Sequence, residues 1–195
     1  MTRSKTRAAI LISGRGSNMM ALVEAAQAPD FPAQFVLVAA NDPTAGGLEW
    51  AAGQGLKTAA VDHKPFGKDR ESHERALNAA LEGEGVEFIC LAGYMRVLTP
   101  WFVEQWNGRM INIHPALLPE FKGLHTHERA IEAGATEHGA TVHWVTPGVD
   151  EGEIIAQARV PVLPDDTAEV LAARVLKEEH ALYPAAVRQV LTGKA

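Results

Sequence analysis

Short, wholly apolar runs alternate along this chain with segments whose apolar residues recur at helical spacing. Residues 8–13 (AAILIS), 35–40 (FVLVAA), 58–61, 87–93 (EFICLAG) and 109–114 (RMINIH) read as strands. The intervening segments 17–27, 47–53, 69–82 and 100–106 read as helices. Asp69 is placed to cap the third helix and Gly83 and Gly85 to stop it. A strand apolar on both faces must be covered on both faces. The βαβα rhythm therefore predicts an α/β fold with a mostly parallel central sheet between two layers of helices.

After residue 114 the rhythm changes. Residues 115–139 are rich in Pro, Gly and His, with one short helix expected over 127–133. Residues 139–146 and 153–162 read as two later strands, antiparallel to each other or joined to the edge of the main sheet. A last helix is expected from about Thr167. Asp166, with Glu169 three residues on, resembles a capping box, and Pro184 is expected to kink or divide the helix. Trp101 and Trp106 read as core. No repeat or linker interrupts the pattern, so residues 1–195 are expected to form one domain.

Composition narrows the functions. The net charge of −6 argues against a general nucleic-acid binder, which needs a basic face for phosphates. An anionic ligand would have to be held by local dipoles and a few cations. The single cysteine, Cys90, lies within an apolar run and reads as a buried thiol. No run approaches the ~20 apolar residues of a membrane span, and the basic N-terminus is followed by too short an apolar stretch for a signal peptide. The expected address is cytoplasmic.

Four groups of residues could carry chemistry. SGRGSN, residues 13–18, joins the first strand to the first helix. Its glycines allow close backbone approach, and the helix N-terminus offers free N–H groups to a phosphate. It departs from the dinucleotide fingerprint, because Met19 stands at the third glycine position. NIHP, residues 112–115, ends a strand. Asn112 and His114 are two apart and so face the same way: one an amide donor for an oxyanion, the other a titratable proton carrier. Five of the eight histidines (114, 125, 127, 138 and 143) fall within thirty residues. Their spacing matches no metal motif, and a polar lid is the better reading of LHTH. Finally, Asp150, Glu151 and Glu153 follow a strand, and an acid brought against His114 would stabilise its imidazolium. Met95, Val97 and Leu98 beside Tyr94 could form an apolar slot for a flat heterocycle.

Taken together, ISGRGSN, LAGYMRVL, INIHPALLPEFKGLHTH, HGATVHWV and DEGEIIAQ, in this order over nearly the whole chain, resemble the phosphoribosylglycinamide formyltransferase family of purine synthesis. The resemblance implies a Rossmann-like fold and 10-formyltetrahydrofolate as co-substrate. It implies transfer of the formyl group to the amine of glycinamide ribonucleotide, without a metal. It also implies catalytic roles for Asn112, His114 and Asp150. Substrate would be bound by Gly16, Ser17 and Asn18 at the phosphate and by Glu179 at the ribose. Folate would be bound by Met95, Arg96, Val97, Leu98 and Asn112, with Arg70 near its tail. The implied partners are these small molecules and, at most, a second copy of the chain in a homodimer.

The chain departs from the family's pattern at three places. Arg15 stands within the phosphate loop and could add a phosphate contact. Lys122 replaces a proline before GLHTH, which predicts a more mobile lid. Leu176 stands where the family carries Lys or Gln near the phosphate, with Lys177 at a different angle on the helix. Formyltetrahydrofolate hydrolase is the alternative. With the first strand so early, that enzyme's N-terminal regulatory domain is not expected, and with 195 residues neither is the C-terminal RNA-binding domain of methionyl-tRNA formyltransferase.

Overall fold

The computed structural model describes residues 4–193, so the outermost residues of the expected domain, 1–3 and 194–195, lie outside it. Seven strands form one sheet: β1 (Thr6–Ile12), β2 (Ala33–Ala40), β3 (Thr58–Ala60), β4 (Phe88–Leu91), β5 (Met110–His114), β6 (Glu137–Trp144) and β7 (Ile154–Pro161). Their spatial order is β3-β2-β1-β4-β5-β6-β7. The pairs from β3 to β5 are parallel. β6 and β7 add antiparallel strands at one edge, as the two later apolar runs suggested.

The strand residues divide by parity between two cores. Ala8, Ile10 and Ile12 of β1 join Phe88 and Cys90 of β4 and Ile111 and Ile113 of β5. That face is covered by α1 (Ser17–Ala25), α2 (Gly46–Gly53), α5 (Thr126–Glu132) and α6 (Ala168–Thr192). Ala9, Leu11, Ile89, Leu91 and Met110 face the other way, against α3 (Arg70–Gly83) and α4 (Pro100–Gln105). Each fully buried Ile or Leu of this kind contributes about 1.5–3 kcal/mol. The same parity puts Asn112 and His114 on Met110's side of β5, beyond the end of α4's cover.

Caps and helix ends follow local chemistry, with two corrections. Asp69 caps α3, its carboxylate accepting from Ser72 N–H. The cap of α6 is Thr167, which accepts from Val170 N–H, and not Asp166. The Asp166 carboxylate is taken instead by Arg174 at 2.6 and 2.8 Å and by the N–H of Leu163. Pro184 does not divide α6, which runs unbroken for 25 residues. Tyr183 holds that turn in place. Its buried hydroxyl donates to Leu91 O at 2.7 Å, and Ala186 and Val187 pack beside it. Trp106 is core as expected, its indole N–H donating to Asn78 Oδ1. Trp101 is only half-buried and carries the Arg75 guanidinium over its ring. No helix among the described residues is long and apolar enough to cross a membrane.

Candidate active site

The chain leaves β1 toward β2 and β3 on one side, and then returns to place β4 on the other. A crevice opens at the carboxyl ends of the strands where the order reverses, as the geometry of open α/β sheets requires. Two cavities occupy that edge. A smaller one of about 300 Å³ is lined by residues 13–18 with Ala92, Gly93 and Met95. A larger one of about 570 Å³ runs over the ends of β4, β5 and β6. Gly93 and Met95 line both, so the two adjoin.

The smaller cavity has features that suit an anion. Gly16 caps α1 with φ 69°, a left-handed conformation that suits glycine, and no side chain caps the helix. The first-turn N–H groups and the positive dipole end therefore face the cavity. Gly16, Ser17, Asn18 and the exposed Arg15 all line it. Glu179 lies behind, in α6, and accepts from Asn18 Nδ2 at 3.1 Å. Burial raises the Glu179 carboxyl, partly offset by that bond. Asn18 Oδ1 is buried with no protein partner. Leu176 and Lys177 are absent from the lining, and Lys177 is exposed on α6.

The larger cavity is lined by Met95, Arg96, Val97, Leu98, Asn112, His114 and Asp150, with His125, His127 and His143. Its rim is apolar and open. Of the seven large apolar side chains exposed among the described residues, four (Met95, Val97, Leu124 and Val149) stand here. Exposed apolar groups gathered around a cavity mark a ligand surface. Arg70 does not line the cavity. Its guanidinium donates to Val97 O at 3.1 Å and braces the lining segment from outside. Glu74, buried in α3, accepts from the N–H and the hydroxyl of Thr99 and fixes the segment's far end. Ser13 fixes the near end: Met95 N–H donates to its hydroxyl at 2.7 Å, and the hydroxyl donates to Asn41 Oδ1 at 2.6 Å.

Asn112, His114 and Asp150 converge. The His114 Nε2–H donates to Phe121 O at 2.9 Å, which turns Nδ1 toward Asp150 Oδ2, 3.4 Å away. Asp150 also accepts from Gly123 N–H at 2.9 Å. His143 completes the group. It lies opposite Asn112 in the β5–β6 pairing. Its Nδ1–H donates to Trp144 O at 2.9 Å, leaving Nε2 bare to accept from Asn112 Nδ2 at 3.4 Å. Burial lowers the His143 pKa and keeps the ring neutral, outweighing the Trp144 bond and the Asp150 charge. Asp150 Oδ1 is 3.7 Å from that bare nitrogen, so no proton joins the two. The remaining Asn112 amide hydrogen is free to face the cavity.

Sequence reasoning counted His143 only as part of a histidine cluster. Its role depends on strand register, which no local motif reveals. The LHTH segment forms one wall of the cavity, as a lid would. His127 Nδ1 meets the buried His138 Nε2 at 3.2 Å. Burial lowers the pKa of both rings. Among the described residues no group of three or more His, Cys, Asp or Glu is disposed to hold a metal. Cys90 is fully buried, and burial holds its thiol far above the usual range, so it is no nucleophile.

The fold and these adjoining cavities define a Rossmann-like α/β enzyme with a ligand crevice at a strand-order switch. The chain belongs to the formyl transferase family, whose sequence profile matches residues 6–187. It is 53% identical to the phosphoribosylglycinamide formyltransferase of Brucella melitensis, with a TM-score of 0.92 and 98% of each chain covered. It is 40% identical to the enzyme of that name from Escherichia coli over 95% of this chain and 87% of that one. It is also 44% identical to the human trifunctional purine biosynthetic protein adenosine-3, of which it spans only 19% of the length.

Proposed function

We propose that this chain, as a single formyltransferase domain, moves the formyl group of 10-formyltetrahydrofolate to the amine of 5-phosphoribosylglycinamide. The products are formylglycinamide ribonucleotide and tetrahydrofolate, in purine biosynthesis in the cytoplasm. One observation carries the reading: Asn112, His114 and Asp150 meet in an apolar-rimmed cavity that adjoins an anion-binding helix terminus. The folate heterocycle suits the slot beside Met95 to Leu98, with Arg70 bracing it and lying on the side of the folate tail. The ribonucleotide phosphate suits the loop of Gly16, Ser17 and Asn18, with Glu179 toward the ribose. The family membership and the named relatives support the same assignment.

The mechanism follows from these groups. The amine nitrogen attacks the formyl carbon, and its oxygen becomes an oxyanion. Asn112 donates to that oxygen, and the positive charge of the protonated His114 beside it adds to the stabilisation. The protonated ring is the form that makes both of its contacts as a donor, Nε2–H to Phe121 O and Nδ1–H to Asp150. Asp150 accepts the amine's proton through water, and the folate nitrogen leaves as it takes a proton. Holding amine and formyl carbon together supplies much of the rate, so neither a metal nor a covalent intermediate is needed.

A coupled assay tests the proposal. The chain is mixed with 10-formyltetrahydrofolate, with and without the ribonucleotide, and release of tetrahydrofolate is followed. Release that requires the ribonucleotide is the expected result. Equal release without it would identify a hydrolase, and no release in either case would remove the catalytic reading.

A further inference from the structure

Two backbone groups, two residues apart, hold both members of the His114–Asp150 pair. The Phe121 carbonyl takes the His114 Nε2–H at 2.9 Å, and the Gly123 N–H donates to Asp150 Oδ2 at 2.9 Å. The strap that carries them, residues 121–124, is not a relaxed loop. Phe121 has φ 52° and His125 φ 56°, and Asp150 facing them has φ 52°. These are the only left-handed non-glycine residues among those described, and side chains disfavour that conformation. Something outside the strap must hold it.

Arg129 is in position to do so. From the first turns of α5 its Nη1 donates to Lys122 O at 2.6 Å and to Leu124 O at 3.1 Å, the carbonyls on either side of Gly123. Its guanidinium also lies 5.6 Å from the centre of the Phe121 ring. The platform is anchored in turn: Thr126 Oγ1 donates to Pro115 O at 2.6 Å and Ala130 is fully buried. Beyond its bonds to His114 and Asp150 and the packing of Phe121 against His138, the strap is tied by the Lys122–Glu151 pair at 3.4 Å, open to water on both sides and therefore weak. Arg129 does not line the cavity, so it touches no ligand there. The mobility expected from Lys122 in place of proline is thus opposed by an arginine seven residues on.

We infer that Arg129 is a positioning residue, acting through the 121–124 strap to set the orientation of His114 against Asp150. The inference rests on the formyl-transfer reading of the site. Because Arg129 works on the pair and not on either ligand, its loss should appear in kcat, with KM for both substrates little changed.

The experiment compares the wild type with Arg129→Met, which keeps the stem and removes the donors, and Arg129→Gln, which keeps one neutral donor. Three quantities are measured: steady-state formyl transfer, thermal melting, and solvent exchange of the His114 Nε2–H by NMR. For Arg129→Met we expect kcat lowered roughly ten- to a hundredfold, the scale of small misplacements at a reacting centre. Faster Nε2–H exchange should accompany it. Arg129→Gln should fall between that variant and the wild type, and it serves as the test should Arg129→Met fail to fold. Wild-type kcat with wild-type exchange in either folded variant would overturn the inference, as would a rise in KM alone. A wild type that transfers no formyl group would refute the proposed function instead, while the exchange measurement would still read the strap's hold on His114.

Discussion

Lowering the pH should unfold this protein through His138 in particular. The His138 side chain is 1% exposed on β6, packed against His127 and Phe121, and its Nδ1 is buried without a partner. Burial first, then the charges of His127 and His114, lowers its pKa from the ordinary 6.5 to about 4. The folded state therefore excludes a proton that the unfolded chain accepts. Stability is complete above the unfolded value of 6.5 and is lost as pH falls toward about 4. At about 1.4 kcal/mol per pH unit, that interval corresponds to a loss on the order of 3 kcal/mol, a large share of a domain's stability. His127 and His143 are lowered too, again by burial first, and add in the same direction. The assay is urea unfolding at intervals from about pH 7.5 to about pH 4, on the wild type and on His138→Gln, which cannot titrate there. The wild type should lose on the order of 3 kcal/mol more than the variant across this range. Parallel curves would refute the reasoning. Because the charged ring would press on Phe121, whose carbonyl holds His114, formyl transfer should fail over the same range.

Other outcomes follow from the same geometry. His114→Ala should nearly abolish turnover while the melting temperature holds, and normal turnover would remove His114 from the mechanism. Asn112→Ala should lower kcat by about 10²–10³, the usual cost of one oxyanion donor, read in the coupled assay. Glu74→Gln should raise KM for the formyl folate more than it changes kcat, since Glu74 ties down Thr99 at the end of the lining segment; an unchanged KM would free the segment from that anchor. Gly152→Ala should destabilise the protein by about 2–4 kcal/mol in thermal melts, because a Cβ there would lie 1.6 Å from Trp144 O.

Much of the fold was legible because its signals are local. The central parallel strands β1, β2 and β4 are largely apolar on both faces, and the structure accounts for this by placing alternate residues, such as Ile10 and Leu11, in different cores. Asp69 capped α3 because no other partner competed for its carboxylate except Ser72. Asp166 failed as a cap because Arg174, two helical turns away, outcompeted the helix N-terminus for it. Pro184 did not divide α6, where Tyr183 bonds to Leu91 O, 92 residues distant. In the site, strand parity alone was enough to put Asn112 and His114 on one face of β5. His143 was not readable in this way, since its contact with Asn112 exists only through antiparallel register. Arg70, expected near the folate tail, donates to the backbone carbonyl of Val97 and so braces the wall, a contact that no local pattern shows.

What the sheet contributes to the proposed transfer is a junction. The cavity at the N-terminus of α1 and the cavity beside Met95 share a wall at Gly93 and Met95. That wall is itself stitched to β1, through Ser13 N–H to Gly93 O and Met95 N–H to the Ser13 hydroxyl. The separation of the two cavities is thus set by the strand ends and not by long flexible side chains. The polar groups of the proposed chemistry stand on β5, and the first antiparallel strand, β6, adds His143 against the Asn112 amide. The strained elements, Phe121, His125 and Asp150, all lie on the far side of the junction, where a loop can be ordered or released. A rigid floor that sets separation, closed by a strained strap that sets proton geometry, explains why the floor was readable in the sequence. On our inference the strap is braced by Arg129 from outside the cavity, through bonds to Lys122 O and Leu124 O that no local pattern shows.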